Sequence, residues 1–144
     1  MVVNRSAAYS VDGSHPNDEN QPLRESSRLL GIDVGRVRVG VAKSTLGIIA
    51  PLVVLDRAQS KAEKEILRLA SSESIDGIVI GLPLSDDGSE NQQCLDIYAF
   101  VNRLKKRTTI PIVFQDEFLS SFETGGYDAK AAALILQRFT TKIW

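Results

Sequence analysis

Four acidic residues lie where predicted strands end or a predicted helix begins: Asp33, Asp116, Glu117 and Asp128. Carboxylate oxygens are the ligands that Mg²⁺ and similar divalent cations prefer. If Asp33 and Glu117 end two strands that flank a third, their backbones lie ~10 Å apart. Side chains leaning inward from there can bracket two ions ~3.5–4 Å apart, the arrangement used for in-line displacement at phosphorus. The pattern therefore indicates metal-dependent hydrolysis of phosphodiesters.

Each acidic position also has a simpler interpretation. Asp33 could begin a turn with Gly35, although an acid that ends a buried apolar strand is costly without a function. Asp116 and Glu117 could form a solvated strand end. Asp128 is equally well placed as the N-cap of the last helix. The residue types alone leave these alternatives open.

Three further candidates receive no catalytic assignment. Asp86, Asp87 and Gly88 have the composition of a polar turn before a helix, with a metal site as the less favoured alternative. Cys94 has no predicted base or metal partner, which favours a small buried packing residue. His15 lies in a polar N-terminal tail and is given no role.

The elements that must position these residues follow from the hydrophobic periodicity. Short apolar runs and two-residue alternation predict strands, and helical spacing of apolar residues among charges predicts helices. The predicted strands are 29–32, 37–41, 48–55, 75–82 and 110–114, and the predicted helices are 61–72, one beginning near Ser89 with a capping box, and 129–139. Pro51 suits an edge strand.

The element order is β-β-β-α-β-α-β-α. Three consecutive strands can join antiparallel by hairpins, whereas the last two follow helical crossovers and must run parallel to the first. The predicted fold class is α/β, with a five-stranded mixed sheet flanked by helices. Ligand sites of such sheets form at the carboxyl ends of the parallel strands. The strand between the acids ends in Gly81-Leu82-Pro83 and carries no acid, which would leave room for ions.

The chain of 144 residues divides by composition into two parts. Residues 1–27 are polar and carry a charge of −2, and we expect a disordered tail because they cannot bury enough apolar surface. Residues 28–144 carry +1 and form the predicted domain. The overall charge of −1 therefore does not exclude nucleic acid. A lone cysteine and the lack of an apolar signal or membrane-spanning run lead us to expect a cytoplasmic protein without a membrane partner.

Four blocks of sequence, in order over about residues 28–140, resemble one known family. They are Leu30-Gly31-Ile32-Asp33-Val34-Gly35-Arg36-Val37-Arg38-Val39-Gly40-Val41-Ala42, Gly81-Leu82-Pro83 with Asp87-Gly88, Asp116-Glu117 with Leu119-Ser120-Ser121, and Asp128-Ala129 leading to Ala132-Ala133 and Ile135-Leu136-Gln137. The chain is similar in all four to the YqgF (RuvX) family of Holliday-junction-resolvase-like nucleases, which have the RNase H fold.

The resemblance implies an RNase H-like nuclease domain over residues 28–144. Its catalytic acids would be Asp33, Glu117 and Asp128, which would bind Mg²⁺ or Mn²⁺ as two ions, with Asp116 as a further ligand. Arg36 and Arg38 would contact phosphate. The implied partner is a nucleic acid, either pre-16S ribosomal RNA within ribosomal precursors or branched DNA. We expect a monomer or a weak homodimer.

The chain departs from the family pattern at three places. Phe118 stands where the family usually has arginine, and Ser44-Thr45 where it has Ser-Asp. Only residues 122–127 separate the Ser-Ser pair from Asp128, where members have a further helix and a basic loop. Six residues can make a connection but no helix of normal length.

A second class of function stays open at this point. A shortened member could keep the fold as a non-catalytic nucleic-acid-binding or ribosome-associated module. Lys105, Lys106 and Arg107 could add phosphate contacts, or simply suit the C-terminal end of the second helix. An ATPase or sugar-kinase half, which shares the Asp-x-Gly strand, is excluded by length because those enzymes close two such domains around a nucleotide.

Overall fold

The computed structural model describes residues 8–10, 27–118 and 129–141. The strands are β1 Ala8–Ser10, β2 Leu29–Val34, β3 Arg38–Thr45, β4 Ile48–Asp56, β5 Gly77–Leu84 and β6 Ile112–Phe118. The helices are α1 Lys61–Ser72, preceded by a short 3₁₀ turn, α2 Gln92–Lys105 and α3 Ala129–Thr141.

The strands form one sheet in the order β1-β6-β5-β2-β3-β4. Strand β2 pairs antiparallel with β3 and β3 with β4, whereas β5 is parallel to both β2 and β6. This confirms the predicted mixed sheet of three antiparallel strands followed by two parallel ones. Strand β4, which contains Pro51, lies at one edge as expected.

A sixth strand corrects the expected count of five. Residues Ala8–Ser10 pair antiparallel with β6, and Tyr9 lies opposite Phe114. Three residues are too few to show alternating hydrophobicity, so the sequence pattern offered no signal for this strand. It extends the sheet through backbone hydrogen bonds along the free side of β6. The rest of the predicted tail, residues 1–7 and 11–26, lies outside the described residues.

The bounds of two strands differ from those predicted. Strands β5 and β6 each begin two residues later than predicted and continue further, so Asp116 and Glu117 lie within β6 rather than after it. The cap of α2 is also displaced. Asn91, not Ser89, is the N-cap, and its side-chain oxygen accepts a hydrogen bond of 3.0 Å from the backbone N–H of Cys94.

The sheet is covered by helices on both faces. The face under α1 and α2 carries the larger apolar cluster, which includes Ile32, Ile80 and Phe100. The face under α3 carries a smaller one, in which Leu29, Val79 and Val113 pack against Ala132, Ile135, Leu136 and Phe139. Because side chains alternate along a strand, Asp33 and Glu117 project toward the face under α3.

Glycines allow α3 to pack very close to this face. A Cβ atom at Gly31 would lie 2.5 Å from Leu136 Cγ and 2.8 Å from the carbonyl oxygen of Ala132. The backbone oxygen cannot move aside without shifting the helix. Any larger residue at position 31 therefore pushes α3 away from the sheet.

None of the helices in the described part of the chain is both long enough and apolar enough to cross a membrane.

The close packing at Gly31 predicts the cost of a single methyl group. We expect Gly31→Ala to lower the free energy of unfolding by about 1–3 kcal/mol, the usual range for overpacking. The measurement is urea unfolding of Gly31→Ala, Leu136→Ala and the double variant. Leu136→Ala removes the nearest contact, so the double variant should lose less than the sum of the two single losses. Strict additivity would contradict the steric explanation.

Cys94 is fully buried, and burial raises the pKa of its thiol. Because the thiolate is the reactive form, the folded protein should resist a thiol reagent at pH 8. We expect a disulfide reagent to label Cys94 only after denaturant is added. The reaction is measured by the absorbance of the reagent. Stoichiometric labelling of the native protein at the rate of a free thiol would contradict the assignment of Cys94 as a packing residue.

Candidate nuclease site

Asp33 is the penultimate residue of β2 and lies opposite Gly40 of β3. The pairing of Ile32 with Ile80 places Asp33 beside Gly81 of β5 on its other side. The residue is only 3% exposed. The carboxylate therefore sits on the face under α3 with a glycine on each neighbouring strand.

Glu117 lies two strands away from Asp33, on the same face. Gly81, which lies beside Asp33, pairs with Gln115, and Pro83 pairs with Glu117. Glu117 is therefore two residues further along its strand than the row of residues that contains Asp33. From strand spacing and rise, the two Cα atoms are about 12 Å apart. Two carboxylates at that separation can reach toward the same small volume. This confirms that β5 separates the strands that carry the two acids.

Gly81 does not leave the open space that was expected between the acids. A Cβ atom at Gly81 would lie 2.4 Å from Ile135 Cδ1, so this methyl group of α3 already occupies the position. The same Cβ atom at Gly81 would lie 3.8 Å from Glu117 Cγ. The Glu117 side chain therefore leans back along the strand toward the row of Asp33. The glycine therefore serves helix packing and the approach of Glu117.

Arg138 forms an ion pair with Glu117 that sequence analysis missed. Its Nη1 donates to Glu117 Oε1, and the Glu117 side chain is 1% exposed. Arg138 follows Ile135 by three residues, so the helical period could have placed it beside the sheet-facing residues. The pairing explains how a nearly buried carboxylate is tolerated.

Two acceptor oxygens on β6 fit a cation at this face. Glu117 Oε2 and Gln115 Oε1 are both buried and have no hydrogen-bond partner among the described residues. Side-chain oxygens without donors suit a hard divalent cation. Within residues 27–118 and 129–141, no group of three His, Cys, Asp or Glu side chains forms a complete metal site. A third carboxylate would have to come from elsewhere, and Asp128 lies outside the described residues.

The structure does not bring Asp116 together with the two buried acids. It pairs with Leu82, whose side chain belongs to the apolar cluster under α1 and α2. Burial, the hydrogen bond to Glu90 and nearby negative charges, including that of Asp116, raise the pKa of Tyr98 in α2. Asp116 therefore lies near Tyr98 on the opposite face of the sheet from Glu117.

Arg36 is exposed in the turn that follows β2, and Arg38 is exposed as the first residue of β3. This turn is held by Arg57, another residue that sequence analysis missed. Arg57 Nη1 donates to the Gly35 carbonyl and to Asp96 Oδ2, both at 2.7 Å. Its guanidinium group also lies over the ring of Phe100, 5.2 Å from the centroid. A single partly buried side chain thus connects the turn beside Asp33 to α2.

The basic run Lys105, Lys106 and Arg107 lies at the opposite end of the strands from the two acids. Lys105 is the last residue of α2, Lys106 is its C-cap and Arg107 follows, before β6 begins at Ile112, whereas Glu117 is near the other end of β6. The length of β6 makes the separation from Glu117 roughly 15–20 Å. These residues instead border an open depression with Ser71 and Thr108. They are not part of the site around Asp33.

The Asp86–Gly88 segment is a polar turn, as its composition predicted. Asp87 Oδ1 accepts hydrogen bonds from the backbone N–H and the hydroxyl group of Ser89, at 2.9 and 2.6 Å. Gly88 has a φ of 84°, in the left-handed region that favours glycine. The Asp87 side chain is engaged in its own turn.

The contacts of Arg57 predict a local effect on the turn beside Asp33. We expect Arg57→Ala to lower the free energy of unfolding by about 1–3 kcal/mol, because Asp96 and the Gly35 carbonyl lose a charged donor. Amide hydrogen exchange at Gly35 and nearby residues should accelerate. Arg68→Ala is the control, since its pair with Glu65 is exposed and should change neither measurement. Unchanged exchange at Gly35 would refute this role of Arg57.

Comparison with known proteins agrees with this geometry. The family model RuvX, described as Holliday junction resolvase, matches residues 27–142. A protein of Synechococcus elongatus named "Putative pre-16S rRNA nuclease" is 39% identical over 130 residues, covering 76% of this chain and 86% of the relative. A protein of Nitratidesulfovibrio vulgaris with the same name is 37% identical over 99 residues, covering 67% and 70%.

The family model spans most of the chain, and its match contains both buried acids, Asp33 and Glu117. The sheet has the order and strand directions expected of an RNase H-like α/β fold. The resemblance noted in the four sequence blocks is thereby confirmed, and the chain belongs to the RuvX family.

Proposed function

We propose that this protein is a metal-dependent endonuclease that hydrolyses phosphodiester bonds in pre-16S ribosomal RNA. The single observation that carries the proposal is the placement of Asp33 and Glu117, two buried carboxylates on one face at the carboxyl ends of parallel strands. This is where α/β sheets form ligand sites. Membership in a family of nucleases supports the reaction class.

Asp33 and Glu117 would hold the metal, together with Asp128 if the family pattern applies to it. Gln115 Oε1 is a neutral oxygen on the same face as Glu117. A pair of Mg²⁺ or Mn²⁺ ions, when bound, supplies an activated water and stabilises the leaving oxygen. The chain itself contributes the fixed position of Asp33, because Arg57 restrains the turn that follows it.

Arg36 and Arg38 would meet the substrate beside these acids. Both are exposed directly after Asp33, where cationic side chains can contact the phosphates that flank the cleaved bond. The Lys105–Arg107 run lies too far away to contact those phosphates. It would instead contact a distant part of a structured substrate, and its removal should weaken binding more than cleavage.

The names of the relatives favour pre-16S rRNA as the substrate. Both relatives described above carry the name "Putative pre-16S rRNA nuclease", which supports pre-16S rRNA in ribosomal precursors as the partner. The description of the family model supports branched DNA as the alternative substrate. Cleavage of the two substrates in parallel distinguishes them.

The proposal predicts that single isosteric changes abolish cleavage. Asp33→Asn and Glu117→Gln should each reduce Mn²⁺-dependent cleavage of a 5′-labelled pre-16S rRNA fragment by at least about a hundredfold, since each removes a charged ligand. Circular dichroism should show an intact fold. The matched control is Asp116→Asn, an adjacent residue on the opposite face, which should retain most of the activity.

Equal cleavage by wild-type protein and Asp33→Asn would overturn the proposal. A four-way DNA junction in a parallel reaction tests the alternative substrate. If the protein binds RNA without metal and cleaves neither substrate, the non-catalytic module is the better description. The short 122–127 segment next to Asp128 is the observation that favours this second candidate.

A further inference from the structure

The buried ion pair of Glu117 and Arg138 has unequal partners. The Glu117 side chain is 1% exposed, whereas that of Arg138 is 34% exposed. Glu117 is fixed within a strand, and Arg138 is attached by a long, flexible side chain near the end of α3. The carboxylate therefore cannot reach water, but the guanidinium group can leave it.

Glu117 needs a positive charge whenever no metal is present. A carboxylate buried without a counter-charge is strongly unfavourable, and a second buried carboxylate, Asp33, lies on the same face. Arg138 engages Oε1 of Glu117 and leaves Oε2 without a partner among the described residues. In the metal-free protein, the guanidinium group thus supplies charge that a divalent cation would otherwise provide.

A cation bound to Glu117 and a guanidinium group on the same carboxylate repel each other. At separations of a few ångströms in a poorly solvated site, this repulsion is worth more than a factor of ten in affinity. Arg138 can relieve it by moving to solvent, while Glu117 and Asp33 remain in place.

Building on the proposed metal site, we propose that Arg138 is an internal counter-cation that a divalent metal must displace from Glu117. Arg138 thereby weakens metal binding and stabilises the metal-free protein. It is a positioning residue for the Glu117 carboxylate and does not itself bind the metal.

The chain contains a matched control for this proposal. Glu63 of α1 is also buried, 6% exposed, and pairs with the partly exposed Arg103 of α2 at 2.8 Å. Its other carboxylate oxygen is likewise buried without a partner among the described residues. This pair lies between the helices on the opposite face of the sheet. Removing Arg103 tests the loss of a buried ion pair alone.

The experiment is calorimetric titration of the full chain with Mn²⁺ at constant pH and ionic strength. Arg138→Gln should lower the Kd for Mn²⁺ at least about tenfold, because it removes the competing charge. Arg103→Gln should leave that Kd unchanged. Both variants should lower the thermal midpoint in the absence of metal. The same concentration of Mn²⁺ should then raise the midpoint more in Arg138→Gln than in Arg103→Gln or the wild-type protein. Asp33→Asn should abolish the titration signal.

An equal or higher Kd in Arg138→Gln, with wild-type binding intact, overturns the counter-cation role and leaves the proposed function standing. No Mn²⁺ binding by either protein overturns both. A second measurement uses the wild-type protein in case Arg138→Gln does not fold. The Arg138 Nη1–H resonance should be protected from solvent exchange without metal, because Nη1 donates to Glu117, and should lose this protection on saturation with Mg²⁺. Protection that persists at saturation contradicts displacement.

Discussion

Two negative charges on one buried face are the constraint around which this molecule is arranged. Asp33 and Glu117 are both almost inaccessible to water. Charged groups in such surroundings require compensation by hydrogen bonds or by positive charge. The pair of Glu117 with Arg138 supplies part of it. Glu117 Oε2 and Gln115 Oε1 on β6 have no partner among the described residues, and they mark where further compensation is most favourable.

The packing of α3 determines how close the positive charge of Arg138 lies to the buried acids. Gly31 and Gly81 remove the side chains that would separate the helix from the sheet, and Leu136 and Ile135 occupy the space. The same helix carries Arg138, so the distance between helix and sheet also sets the reach of its guanidinium group. Apolar packing and electrostatics at the site are therefore coupled through one helix.

The fold was predictable to the extent that it depends on periodicity. Alternation and apolar runs identified five strands and three helices, and the crossover argument fixed their directions. The position of Asp33 and Glu117 on one sheet edge followed from the same argument. The strand Ala8–Ser10 was missed because it depends on backbone pairing with β6 rather than on its own side chains. The two-residue shift of β6 arose because Ile110 and Pro111 are apolar without being in the strand.

Contacts made by single long side chains were beyond sequence analysis. Arg57 and Arg138 belong to no motif, and their partners, Asp96 and Glu117, are distant in sequence. The face of the strand on which an acid lies also determines whether that acid belongs to the site. Asp116 and Glu117 are adjacent in sequence, yet they lie on opposite faces because successive side chains alternate.

The chain order of the site has a consequence for how the protein folds. Asp33 belongs to a meander of neighbouring strands, β2 to β4, that forms from local contacts. Glu117 is more than eighty residues away, but Arg138 follows it by only 21 positions. Short loops close at lower entropic cost and more quickly than long ones. Closing the loop between Glu117 and Arg138 therefore costs less entropy than joining β6 to β2, which favours pairing of the carboxylate with its counter-ion before the two acids come together.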